Sequence, residues 1–179
     1  MLLRVYEWDL IQSGRVYGLI AMLAGSAGVL SGPFVLKFMN KKNINAPHFK
    51  LAIFGISMAS LSLVLLPFQA NVNIALVFVT LASFFVTLPL AGTSSAMVIV
   101  SPNRIRGVIT GIYVVVTSVF GLVLGPFLVA SSTDFIFQDP NAVAKSLALV
   151  SVLIGPVGIF FMLKLSLIHI SEPTRRYAI

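Results

Sequence analysis

About twenty consecutive residues after Arg106 carry no charge: VITGIYVVVTSVF and then GLVLGPF, ending at Phe127. A helix rises 1.5 Å per residue, so about twenty residues cross the ~30 Å hydrocarbon core of a bilayer. The stretch is introduced by a short basic turn, SPNRIRG, with Arg104 and Arg106. It reads as a charged membrane-surface loop followed by a spanning helix. The rest of the chain repeats the pattern. Only 9% of the 179 residues are charged against 58% hydrophobic, and the mean hydropathy is +1.04. Soluble domains carry roughly 25% charged residues. So few charges cannot cover a water-facing surface, which leaves an all-α protein embedded in lipid. The net charge of +7 could invite a nucleic-acid partner. The basic residues lie in short turns between apolar runs, however, not on one polar face. They act as topology signals and imply no nucleic acid; the partner is the bilayer.

In chain order, residues 1–13 form a polar and aromatic lead-in in which Tyr6 and Trp8 suit a membrane interface. Glu7 and Asp9, with no cleavage-site pattern, argue against a signal peptide. Five spans are expected, at about 14–36, 51–68, 74–100, 107–130 and 146–165. Lys37, Lys41, Lys42 and Lys50 flank one turn, and Arg104 and Arg106 flank the next turn on the same side. The opposite side has the QANVN turn and a loop with Asp134 and Asp139. Positive residues favour the cytoplasm, so the lead-in is expected outside and the C-terminus inside, in a bacterial inner membrane. An odd number of spans with an external start implies that a further helix precedes them.

Small residues make two seams. In the first span Gly14, Gly18, Ala21, Gly25, Gly28 and Gly32 alternate in steps of three and four. That spacing lines one helix face, and in lipid close backbone approach is what holds helices together. The fourth span repeats it with Gly107, Gly111, Ser118, Gly121 and Gly125. Glycine is also simply common in membrane helices, but a six-position seam favours packing. Gly28-Val-Leu-Ser-Gly32-Pro33-Phe34 further matches Gly121-Leu-Val-Leu-Gly125-Pro126-Phe127 on a helix of opposite direction. Gly/Pro-interrupted segments in corresponding places mark inverted repeats. Pro33, Pro67, Pro89, Pro126 and Pro156 lie in or near the ends of the spans. Pro89 is the most central; it frees the carbonyl of Phe85 with Ser83 and Thr87 nearby to compensate, and a kink is expected there.

The spans hold no ionisable residue well inside them, so a proton relay is not expected from this stretch. With no cysteine, no Walker loop, no nucleophile elbow and no metal-ligand pair, the chain reads as no enzyme and calls for no cofactor and no metal. Its intramembrane polar groups are hydroxyls: Ser83, Thr87, Thr93, Ser94 and Ser95 in the third span, Thr110, Tyr113, Thr117 and Ser118 in the fourth. Each can bond its own helix backbone, or it can face a cavity and touch substrate. Tyr113, Thr117, Ser83, Thr87 and Ser94 are the candidates for the second role, Tyr113 first because a buried phenol needs a partner. Gly25, Gly28, Gly32, Pro89, Gly121, Gly125 and Pro126 are the candidates for packing and gating. Lys41, Lys42, Arg104 and Arg106 are the cytoplasmic loop charges.

Together these residues resemble the C-terminal half of a major facilitator superfamily transporter, most of all its spinster-like branch. The likeness rests on Arg4-Val5-Tyr6-Glu7-Trp8, Tyr17-Gly18-Leu19-Ile20, the Ser101–Gly107 turn, Gly121-x-x-x-Gly125-Pro126 and Asp134-x-x-Phe137-x-Asp139-Pro140. It covers about residues 4 to 163. The resemblance implies that the spans are helices 8 to 12 of twelve, a partial C-terminal six-helix bundle. It also implies alternating access for a small organic solute, proton or ion coupling, and a missing N-terminal half that holds the coupling acids. Ser101 and Pro102 would start helix 11. Where such transporters often carry Asp-Arg after helix 8, Lys37-Phe38 stands here. Residues 166–179 have no counterpart in the family and resemble a translated sequencing-adapter read, so they are expected to be non-native tail. The other reading of the chain is a self-contained small membrane scaffold, or half-transporter, that oligomerises through its glycine seams.

Overall fold

A computed structural model of the chain describes residues 2, 6–90, 92 and 102–171, with side chains as far as Lys164. Every regular element among them is helical. Helix α1 is Leu10–Lys41. Asp9 caps it, its carboxylate accepting from the Leu10 amide at 2.8 Å. The end is closed by the Lys42 amide donating to Phe38 O and by Asn43, whose φ of 50° is a left-handed geometry that asparagine tolerates. Lys42 Nζ lies 4.5 Å over the Phe38 ring, and Lys41 and Lys42 are both exposed beside the carbonyl end of the helix. Helix α2 is Pro47–Leu65, opened by a proline whose missing N–H does not matter in a first turn. A 3-10 turn, Leu66–Phe68, ends it. Helix α3 is Val72–Thr87, with Asn71 accepting from the Asn73 amide.

The third span is interrupted at the central proline, where a kink was expected. Helix α3 stops at Thr87, Leu88 and Pro89 form a turn, and Leu90 and Gly92 are helical again. Proline has no amide to continue the ladder, so the interruption falls at Pro89. Of the described helices, four are long and apolar enough to cross a membrane; α3 is apolar but has 16 residues. Ser94 and the rest of the 93–100 stretch lie outside the described residues.

Helix α4, Arg106–Phe137, differs from expectation. Its cap is Ile105, with no side-chain hydrogen bond, and Pro102 precedes the helix in a turn closed by the Ile105 amide on Pro102 O at 3.1 Å. Pro102 is therefore not a first-turn residue, and Ser101 lies outside the described residues. The rod consists of α-helix at Arg106–Ser118, a π-helical stretch at Val119–Leu124, α-helix at Gly125–Ser131 and a second π-helical stretch at Ser132–Phe137. The first widening directly precedes Pro126, which cannot donate to the turn before it. The helix thus passes the expected end at residue 130, and Asp134 sits within its last turn, not in a loop. Helix α5, Val143–Ser171, follows a turn in which Asp139 accepts from the amides of Asn141 and Ala142. It continues through Ser171, six residues beyond the expected end of the fifth span.

The helices form a row. α3 lies between α1 and α2, α2 lies between α3 and α5, and α4 meets the other helices through its last third against α5. A small apolar cluster of Leu36, Leu51 and Leu88 closes one end, with Phe84 and Phe85 packed on it. Phe85 meets Phe54 and Phe84 edge-on at 5.7 and 5.3 Å. In the lead-in, the Tyr6 hydroxyl donates to Gln69 O at 2.8 Å and ties this segment to the α2–α3 turn. Burial raises the Tyr6 pKa above its ordinary value of 10.0. Only the neutral phenol can donate, so the tether is complete below about pH 10 and is lost as pH rises through the higher folded value. Trp8, the chain's single tryptophan, reports it. Its emission is expected to hold to about pH 10 and change above that, and Tyr6→Phe should show the changed emission already at pH 8. Identical titrations of the two proteins would refute the tether.

Candidate functional site

The α1–α3 crossing is built on glycine. A Cβ on Gly28 would run into Thr87 Oγ1 and the carbonyl of Phe84, and one on Gly25 would touch Thr87 Cγ2 at 3.9 Å. Gly25, Gly28 and Gly32 are all buried. The Thr87 hydroxyl lies 3.0 Å from Gly25 O, 3.0 Å from Ser83 O and 3.1 Å from Phe84 O. It bridges two helices and supports the carbonyls of Ser83 and Phe84, not that of Phe85. Thr87 therefore sits at a helix contact. Gly55 performs the same service between α2 and α3: its added Cβ would lie 2.7 Å from Phe85 O and 3.2 Å from Pro89 Cδ. Gly155 does so between α5 and α2, facing Ser60 Oγ at 2.6 Å.

Alongside these crossings lies a cavity of about 540 Å³ bounded by all four helices of the packed row. Ser13, Gly14 and Tyr17 come from α1, Ala59 and Leu63 from α2, Ala82, Ser83 and Val86 from α3, and Leu147 from α5. No charged side chain is among its lining residues. A second cavity of about 660 Å³ separates α4 from α5 and is walled by Gly125, Pro126, Thr133, Asp134 and Ser151. The two adjoin, since Leu63 and Leu147 wall both. At the base of the second, the Thr133 hydroxyl donates to Ser146 Oγ at 2.8 Å, and both residues are buried. This is the polar clasp between α4 and α5.

The candidate residues divide accordingly. Ser83 faces the first cavity, while Gly125 and Pro126 face the second. Tyr113 and Thr117 line neither. Thr117 returns its hydroxyl to Tyr113 O at 2.8 Å, within its own helix. Gly121 and Gly125 have nothing within 4 Å of an added Cβ among the described residues, as is also true of Gly14 and Gly18 in α1, whereas Gly25 and Gly28 are closed against α3. Arg104 is exposed; Arg106 is partly buried, its Nε without a hydrogen-bond partner among the described residues.

Two features escaped sequence reasoning. Ser13 stands one position before Gly14, inside the stretch read as a polar lead-in, and Tyr17, one position before Gly18, was noted only as part of the family likeness. The α2 seam of Ala52, Gly55, Ala59 and Ser62 is buried and has the same three-and-four spacing as the α1 seam, so that pattern was visible. No protein-family profile, curated protein or solved structure matches the chain.

Proposed function

We propose that this chain is the C-terminal part of a secondary transporter of the major facilitator superfamily, spinster-like in type, and that it moves a small organic solute by alternating access. In this reading it lies in a bacterial inner membrane with its C-terminus in the cytoplasm, performs no covalent chemistry, and works with an N-terminal half that supplies the coupling acids. The observation that carries the reading is the uncharged, half-open cavity lined by helices whose crossings are made by glycine. Glycine contacts let two helices slide or rock with little side-chain interlocking. A second support is α4, whose central residues are unburied and whose glycine face is open. An apolar helix with a bare small-residue face suits packing against helices contributed by another part of the transporter.

The same open face favours the second reading, a scaffold or half-transporter that pairs through α4. Reconstitution distinguishes the two. The chain is placed in proteoliposomes alone and together with a spinster-like N-terminal half, and uptake of a panel of labelled organic solutes is followed under a proton or sodium gradient. Flux only with both halves is the expected result. A monodisperse oligomer that moves solute unaided would overturn the two-half proposal in favour of the second reading.

A further inference from the structure

We infer that the four-helix cavity is a binding site for an uncharged, largely apolar solute carrying one group that both donates and accepts hydrogen bonds, such as an alcohol or a primary amide. Three hydroxyl-bearing residues line the cavity: Ser13 and Tyr17, one turn apart on α1, and Ser83 on α3, of which Ser13 is buried, Ser83 half-buried and Tyr17 exposed. Ser13 is only 8% exposed and its Oγ is buried without a partner. Helical serines commonly return the hydroxyl to the carbonyl four residues back, as Ser31, Ser62 and Ser151 do here. Ser13 does not, and Tyr17 and Ser83 also make no side-chain hydrogen bond with any described residue. A buried polar group left unpaired is costly, so the orphan Ser13 hydroxyl beside the cavity marks a place that a ligand group can satisfy.

The remaining lining fixes the ligand's class. Leu63, Leu66, Val79, Ala82, Val86 and Leu147 offer only apolar contact. No lining residue is charged, so an ion would find no counter-charge among them. A hydroxyl both donates and accepts, and three of them complement a group that does the same. The volume lies within the roughly 300–1,000 Å³ of small-molecule sites. As a binding site this cavity stands without the transport reading; only its role as the solute pathway rests on that reading.

The test is photolabelling of the chain in phosphatidylcholine nanodiscs with a diazirine-bearing dodecanol. Saturable labelling on the Ser13–Tyr17 and Ala82–Val86 peptides is expected, displaced by plain dodecanol but not by dodecanoate or dodecyltrimethylammonium. Ser13→Ala and Ser83→Ala should each weaken it about fivefold. Ser83→Ala should leave the unfolding midpoint in place, because its hydroxyl makes no bond with a described residue, and Ser13→Ala should hold or raise it, because it removes a buried orphan. Ser83→Phe should abolish labelling by filling the space. Equal displacement by the charged competitors would overturn the solute class, and non-saturable labelling would overturn the site. Failure of the transport reading shows separately, as saturable binding without solute flux in proteoliposomes.

Discussion

Replacing Gly28 by leucine is expected to separate α1 from α3. The first atom of the new side chain would already collide with the Phe84 carbonyl and the Thr87 hydroxyl. The threonine could rotate, but the carbonyl belongs to the backbone of α3 and cannot. Relief requires a shift of a whole helix, which also breaks the Thr87 bond to Gly25 O. Overpacking of this kind costs typically 1–3 kcal/mol and more where backbone must move; a loss of about 3 kcal/mol is expected. Unfolding in mixed micelles measures it, with Gly14→Leu and Gly121→Leu as references, since an added Cβ meets nothing within 4 Å at either. A Gly28→Leu protein as stable as the two references would refute the crossing.

The second large effect is expected at Gly55. A leucine there meets Phe85 O and the Pro89 ring, both rigid, so α2 must withdraw from α3 at the point where α3 is interrupted. A loss of about 3 kcal/mol is again expected. Ala59 and Leu63, one and two turns along the same helix, wall the cavity, so dodecanol labelling should fall as well. Gly155→Ala is the informative contrast. The atom it meets is Ser60 Oγ, the end of a side chain that can rotate, and about 1 kcal/mol or less is expected. If all three substitutions behaved alike, the difference between backbone and side-chain neighbours would not be what governs these crossings.

The seam in α1 was legible because its spacing follows the helix period and because Gly25 and Gly28 have α3 against them. The α4 seam has the same spacing but no described neighbour at Gly121 or Gly125. Periodicity marks a face fit for packing; it does not say which helix comes to it. The ends of α4 were misjudged for a local reason. Ser131, Ser132 and Thr133 read as a polar loop, yet Ser132 and Thr133 bond back to Leu128 O and Val129 O at 2.7 and 2.9 Å and carry the helix onward. Thr87 was noticed as a hydroxyl in an apolar run, which it is. Whether such a group meets a solute or a neighbouring carbonyl is decided by a residue 62 positions away, Gly25, which spacing alone does not reveal. Ser13 was missed for the converse reason: nothing near it in sequence distinguishes an unsatisfied serine from a satisfied one.

The length of α1 sets the depth of the cavity. At 1.5 Å per residue its 32 residues span about 48 Å, against a hydrocarbon thickness of about 30 Å. Tilt alone would need to exceed the roughly 40° limit seen for membrane helices to absorb the excess. The uncharged run between Arg15 and Lys37 is about 32 Å long and matches the hydrocarbon with the helix nearly upright. Both ends of α1 then stand in the headgroup layers, with Lys37, Lys41 and Lys42 in one and Arg15 in the other. Ser13 lies beyond Arg15, at headgroup depth, whereas Ser83 and Val86 reach towards the bilayer centre. Placed this way, the cavity runs from the level of Ser13 at one end of α1 inward to Ser83 and Val86 on α3.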